Sequence, residues 1–228
     1  MTLIRPEIDY RGKSPEELFE RQLRLRPSLV HTVQQLVGRY AGAPLLSVAD
    51  EARDVLDEPA IIAPWHQDFF DIPFTSLAVR SLTARPTRFV AMVELFGAPE
   101  GASFVRRVVA QLSARGVAAL GGIPLDRQRA QTGDPAETMQ LLRCVRHAVN
   151  KRRENVVVYP HGGWTTAADA PINEGALVMS RLSRSPIVAV GIAGTAGLAH
   201  SPASLRQRHI AVRIHSVLHP EDKPSSTT

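Results

Sequence analysis

The chain has 228 residues, of which 44% are hydrophobic and 21% charged, enough for one large domain with a buried core and too apolar for a disordered chain. Its single cysteine, Cys144, excludes an intrachain disulfide and a cysteine zinc site. The net charge is +5, and apart from Lys13, Lys151 and Lys223 every basic residue is an arginine, which points either to a GC-rich genome or to an anionic partner: cofactor phosphates, an acidic carrier protein or an anionic membrane. Nucleic acid is disfavoured, because the arginines are dispersed, aromatics make up only 5% and no recognition motif is present.

In chain order, the opening "MTLIRPEIDYRGK" lacks an apolar stretch of the kind a secretion signal needs. "SPEELFERQLRL" then carries a helix start, with Ser14 as N-cap, Pro15 at the first helical position and Glu17 three residues after the cap. Pro27 ends or kinks that helix. "SLVHTVQQLVGRYAG" reads as a second helix with Leu29, Val33, Leu36 and Val37 on one stripe. This N-terminal helical pair packs on the main domain or, given its flanking basic residues, faces a membrane.

From Pro59 onward strand-like and helix-like runs alternate. "AIIAP", "TRFVAMV", "NVVVYP" and "PIVAVGIAG" are expected strands, and "VAALGGIPLDR" holds a strand and a glycine turn. "IPFTSLAVRSL", "SFVRRVVAQLSARG", "DPAETMQLLRCVRHAVNKR" and "NEGALVMSRLSR" are expected helices. Gly116 is the expected stop of the second of these, and Asp134 and Glu137 the expected capping box of the third. "HIAVRIHSVL" alternates as a half-exposed strand should, with Ile210, Val212 and Ile214 on one side. The tail 221–228 is polar and expected to be disordered. No apolar run is long enough for a membrane span, and Cys144 is expected to be a packed core thiol. The pattern predicts an α/β fold: a single domain with a central mostly parallel or mixed sheet flanked by helices, preceded by an N-terminal helical pair.

In such sheets sites gather where strands end and helices begin. Two polar clusters sit at such points, "PWHQDFFD" and "YPHGGW". In the first, His66 and Asp71 are five residues apart. That spacing turns them about 140° apart on a helix and onto opposite faces of a strand. They can meet only if a strand ends near Pro64 and a helix begins near Asp71, where a carboxylate is favoured by the free N–H groups. Asp71 could then accept from Nδ1 of His66 and leave Nε2 free as a general base. With no G-x-S-x-G elbow and Cys144 reading as buried, the substrate would bring its own hydroxyl or amine. The motif alone is weak: a chain with eight histidines shows some H-x-x-x-x-D by chance on the order of a third of the time.

Four blocks in order, from about Pro59 to about Gly191, supply context: "WHQDFFD", "FVAMVELF", "GGIPLDR", and "YPHGGW" followed by "NEGALVMSRLSRSPIVAV". Together they resemble the glycerolipid acyltransferase family, typified by bacterial lysophosphatidate acyltransferases. The resemblance implies transfer of a fatty acyl group from acyl-CoA or an acyl-carrier protein to a hydroxyl, with no further cofactor. It implies His66 as the base, Asp71 as the residue that orients it, and Arg127 as the binder of an anionic group, often the acceptor's phosphate. It also places Gly122, Gly162, Gly163 and Trp164 among the substrate-binding candidates, the glycines letting backbone N–H groups approach. On residue type alone Arg127 reads as a surface arginine in "DRQRAQ" and Gly162–Gly163 as an ordinary turn after a strand.

The match fails at three positions. His161 and Trp164 stand where the family has glutamate and arginine, and Met92 stands where many members have lysine. Tryptophan cannot fork to a phosphate as arginine does. The acceptor is therefore expected to be larger or less charged than glycerol phosphate: a lysophospholipid, a glycolipid or a secondary metabolite. His161 is a polar group on the acceptor, a histidine bonded within the turn, or a second acid/base or metal ligand. Two other functions compete. One is a metal-dependent hydrolase using His66, Asp68, Asp71 and His161. The other is a non-catalytic lipid-binding relative. The domain layout expected is a helical segment over 1–45, an acyltransferase domain over 46–220, and the tail. The expected location is cytoplasmic, with peripheral contact at the inner face of the plasma membrane through the N-terminal helices or an apolar patch.

Overall fold

The computed structural model describes residues 4–6, 10, 12–41, 44–65, 68, 71–99, 101–126, 135–162, 172–197 and 209–221. Among them a seven-stranded sheet is ordered β2 (Leu45–Val48), β9 (Ala211–Leu218), β8 (Ile187–Ala193), β3 (Ile61–Pro64), β7 (Asn155–Val157), β4 (Thr87–Met92) and β6 (Gly122–Leu125). From β8 to β6 every pairing is parallel. β9 runs antiparallel to β8 and parallel to β2. A separate ribbon pairs β1 (Ile4–Pro6) with β5 (Gly97–Pro99). The helices are α1 (Pro15–Glu17), α2 (Pro27–Ala41), α3 (Asp50–Val55), α4 (Asp71–Leu82), α5 (Phe104–Ala119), α6 (Pro135–Arg146) and α7 (Gly175–Ser183). The fold is the expected α/β one, with a mixed, mainly parallel sheet between helices and an N-terminal helical pair.

Successive strand residues feed opposite layers, as a pleated strand requires. Ile61 and Val156 join a core with Leu18, Phe19, Ala114, Val145 and Met179, beneath the helical turn that follows α1 and beneath α5, α6 and α7. Ile62 and Val157 join a second core with Ala52, Ala78, Val188 and Val212, beneath α3 and α4. The central strands are covered on both faces, which is why their sequences are continuous apolar runs. On β9, Val212 and Ile214 are buried while Arg213 and His215 are exposed.

Local signals were obeyed at some helix ends and overruled at others. Ser14 Oγ accepts the Glu17 N–H at 3.2 Å, with Pro15 opening α1. The helix then widens through Leu18–Gln22 and stops, and Pro27 opens α2 instead of ending α1. The stripe on α2 is rotated from the expected one: Val30 and Gln34 are buried and Leu36 is half exposed. Gln34 turns inward because its Nε2 donates to the Ser76 hydroxyl and carbonyl on α4. Gly116 does not stop α5, which continues to Ala119. The stop is Gly121, whose φ of 104° only glycine adopts readily. A Cβ there would lie 2.9 Å from Leu25 Cδ1 and 3.0 Å from the Thr87 carbonyl. Glu137 has a role beyond capping. Its Oε1 accepts from the Tyr10 hydroxyl and the Asp126 N–H, both at 3.1 Å, while Asp134 lies outside the described residues.

The N-terminal segment is held to the sheet by charge. Arg88 on β4 has no exposed surface. Its guanidinium pairs with Glu154, donates to the Leu23 carbonyl at 2.8 Å and lies 4.2 Å over the Phe19 ring. Glu154 also accepts from Arg152 at 3.0 Å. Burial pushes the guanidinium below its ordinary value and Glu154 pulls it back up. Removing one partner strands the other charge, which typically costs about 3–5 kcal/mol. Arg88→Met should lose about that much in urea unfolding, and Arg88→Met with Glu154→Met should recover part of it; a single variant with the wild-type midpoint would refute this account. Cys144 is packed in the first core, where burial drives its thiol up to about 12. The reactive thiolate is then scarce, so iodoacetamide should leave the native protein unlabelled at neutral pH and label it in urea, as mass spectrometry would show.

Candidate active site

Strand order creates one distinctive crevice. β3 and β7 are neighbours, yet the chain leaves them in opposite directions. From β3 it passes through α4 to β4, and from β7 through α7 to β8 on the far side of β3. Where connections diverge like this, the carboxyl ends of adjacent strands are left uncovered and bind ligands. Trp65, Asp68 and Asp71 follow β3, and Tyr159, His161 and Gly162 follow β7, so these described residues of the two clusters stand at this crevice.

After β3, the Trp65 N–H donates to the Val190 carbonyl at 2.9 Å and ties the strand end to β8. The α4 helix then begins at Asp71, as the spacing predicts. Asp71 is wholly buried. Its Oδ2 accepts the Asp68 N–H at 2.8 Å, and the Asp68 carbonyl accepts the Asp71 N–H at 3.0 Å. This closes the turn and sets the carboxylate at the positive end of the helix dipole. Asp68 is buried, and its backbone secures Asp71 at the start of the helix.

After β7 the chain makes a turn in which the Gly162 N–H donates to the Tyr159 carbonyl at 2.9 Å. Gly162 takes φ 65°, the left-handed conformation expected of a glycine in such a turn. The His161 ring sits edge-on to the Trp65 ring, centroids 4.3 Å apart, so the two clusters touch. Tyr159 is half-buried as a residue while its hydroxyl is sealed from solvent. Burial, and then the Asp71 carboxylate, push that hydroxyl well above its ordinary value. It therefore remains an O–H donor near Asp71 across the physiological range.

Trp65 and Tyr159 were not anticipated. An aromatic at the end of an apolar strand looks like core, and the only signal was their place beside the two polar clusters. The Trp65 indole N–H is buried with no hydrogen-bond partner among the described residues, an unusual cost for a residue whose only task is packing. His66, Arg127, Gly163 and Trp164 lie outside the described residues. Gly122 stands apart from the crevice, low on β6 and level with Phe89. A Cβ there would come 2.6 Å from Val117 Cγ1 and 3.0 Å from Phe96 Cζ, so its observed role is close packing. Met92 ends β4 on the crevice side with 43% of its surface exposed. Among the described residues no group of three His, Cys, Asp or Glu side chains could hold a metal ion.

The arrangement offers a buried carboxylate fixed at a helix start, a neutral tyrosine hydroxyl near it, and a histidine held by an aromatic ring across the crevice. A carboxylate so enclosed cannot reach bulk water; it can orient a neighbouring base.

A family model described as Acyltransferase matches residues 46–193, well over half the chain and nearly everything from β2 to the end of β8. The structure resembles the crystal structure of the 1-acyl-sn-glycerophosphate (LPA) acyltransferase PlsC from Thermotoga maritima, with a TM-score of 0.51 over 92% of this chain and 80% of that one. The two sequences are 16% identical, so this likeness is one of fold. No curated protein is similar enough to count as a match. No described helix is long and apolar enough to cross a membrane. With the family model spanning the strands that build the crevice, the chain belongs to the acyltransferase family.

Proposed function

We propose that the protein transfers a fatty acyl group from acyl-CoA or an acyl-carrier protein to a hydroxyl of a lysophospholipid, glycerolipid or related alcohol. The observation that carries this reading is Asp71: a fully buried carboxylate at the first residue of α4, five residues after His66, beside the carboxyl ends of β3 and β7. His66 takes the proton of the acceptor hydroxyl as that oxygen attacks the thioester carbonyl. Asp71 holds the His66 tautomer and steadies the imidazolium that forms. The proton then leaves with the thiol of the donor. Tyr159, kept as an O–H donor, helps fix the Asp71 carboxylate. The Gly162–Gly163 turn lets the substrate approach the backbone, with the Gly162 N–H held by the Tyr159 carbonyl and the Gly163 N–H directed at the oxyanion, and Arg127 binds an anionic group of a substrate.

The acceptor is larger or less charged than glycerol phosphate. Met92, exposed where many family members carry lysine, offers apolar contact and no charge, and Trp164 in place of arginine has the same effect. His161 completes the acceptor side of the crevice, its ring set by Trp65.

His66→Ala should lower acyl transfer about 10²- to 10⁴-fold, read by mass spectrometry of products from acyl-CoA and a mixed lipid extract. Transfer that survives this substitution at the wild-type rate would sink the base assignment. Asp71→Asn should cut kcat severely with little change in KM, because it orients the base and does not touch the acceptor; an effect confined to KM would contradict that role. In the same assay activity should persist in excess EDTA, whereas its loss, with recovery on adding zinc or manganese, would favour a metal-dependent hydrolase. Product confined to phosphatidate, with every other alcohol ignored, would refute the acceptor reading.

A further inference from the structure

The helix α5 carries an exposed apolar face that no described residue buries. Phe104, Val105, Val108, Val109 and Leu112 are between 38 and 74% exposed. At 100° per residue they fall within one 140° arc. The opposite side of the helix is the one that packs, through Ala114 and Ala118. Folded monomers seldom leave so many adjacent large apolar side chains open without an interaction to serve.

The position of this face follows from how α5 is mounted. Val117, near its C-terminal end, lies against Gly122 at the start of β6. Ala110 and Ser113 lie over Glu94 and Gly97, which follow the carboxyl end of β4. Traced backward from Ala119 to Phe104, the helix therefore climbs toward the edge of the sheet where the crevice opens. Sixteen helical residues span about 24 Å, while the four residues of β6 span about 10 Å. The first turns of α5 overhang the sheet on the crevice side, and those turns carry the apolar face.

Charge identifies the partner. Arg106 and Arg107 are exposed within the same turns, and Arg115 follows Leu112 by one turn. None of the three makes an ion pair among the described residues, and Phe104–Ala119 contains no acidic residue. We infer that α5 is a membrane-docking helix that beds its apolar face into an anionic lipid bilayer, its arginines reaching up to the headgroups. A second copy of the chain fits the same face poorly. A symmetric dimer would set this arginine cluster against itself with no carboxylate on the helix to offset it.

The inference concerns binding and does not require turnover, so co-sedimentation without acyl donor tests it separately from the proposed reaction. The full chain should pellet with mixed phosphatidylcholine–phosphatidylglycerol vesicles and much less with pure phosphatidylcholine. An arginine near an anionic surface contributes about fivefold in affinity, and Arg106→Ser with Arg107→Ser should lower binding by about the square of that. Val109→Glu with Leu112→Glu should lower it about tenfold or more. Both pairs should keep the wild-type melting temperature and transfer to a short-chain, water-soluble acceptor, since all four side chains are exposed and none has a role in the proposed reaction. The inference is overturned if the wild-type chain ignores mixed vesicles, if the glutamate pair binds them as well as wild type, or if the wild-type chain sediments as a dimer that the glutamate pair dissolves without vesicle binding. Vesicle binding without any acyl transfer would refute the proposed reaction and leave the docking helix standing.

Discussion

The parallel pairing of β3 with β7 rests on two residue pairs, Ile61 with Val156 and Ile62 with Val157, and the crevice depends on their register. Asn155 sets it. Its side-chain oxygen accepts the Ala60 N–H at 3.0 Å, and its own N–H donates to the Pro86 carbonyl at 2.9 Å. One buried amide thus aligns the starts of β3, β4 and β7. Asparagine is a poor strand former by propensity, but here its side chain stands in for a ladder bond that a short strand cannot supply. A slip of one residue would exchange the faces of Ile61 and Ile62 and carry Trp65 away from His161.

The two edges of the sheet divide the work. At the edge where the parallel strands begin, Arg88 and Glu154 neutralise each other and bind the N-terminal segment through Leu23 and Phe19. At the edge where they end, buried polar groups gather for which packing gives no reason: the Asp71 carboxylate, the Tyr159 hydroxyl and the Trp65 indole N–H. Burying such groups opposes folding. Their concentration at the switch point of the sheet is what a site selected for chemistry looks like, since a purely structural edge would be cheaper in apolar residues. Cys144, by contrast, is a thiol whose burial makes it inert, in keeping with a reaction that does not pass through a protein nucleophile.

The parts of the fold legible in sequence were those where local pattern and burial agree. β3, β7 and β8 are covered on both faces and read as unbroken apolar runs, and β9 is covered on one and alternates. β2 escaped because Leu45 and Leu46 are exposed on an edge strand, so neither pattern applies, and β1 and β5 are three residues each. Gly116 and Gly121 are equally plausible helix stops; contacts with Leu25 and Thr87, distant in sequence, decided for Gly121. At the site, Asp71 was legible because only a strand-to-helix turn makes its spacing useful. That β3 lies beside β7 was not, because strand order is nonlocal. So the meeting of Trp65 with His161, and of Tyr159 with Asp71, had to come from the structure.

Strand order also explains why α5 and the crevice belong together. β4 lies next to β7 on the side toward β6, and its last residue, Met92, is exposed between the crevice and the overhanging turns of α5. Read outward from the switch point, the surface passes from buried polar groups to an exposed methionine to an apolar helix face with arginines in the same turns. A lipid acceptor has the same order along its length: a hydroxyl near the headgroup, then hydrocarbon. A protein bedded by α5 would meet that hydroxyl at the membrane surface without drawing the whole lipid into water, where the exposure of its chain would oppose every turnover. An uncharged residue at Met92 follows from the same geometry, because a lysine there would sit on the apolar path between the bilayer and the crevice.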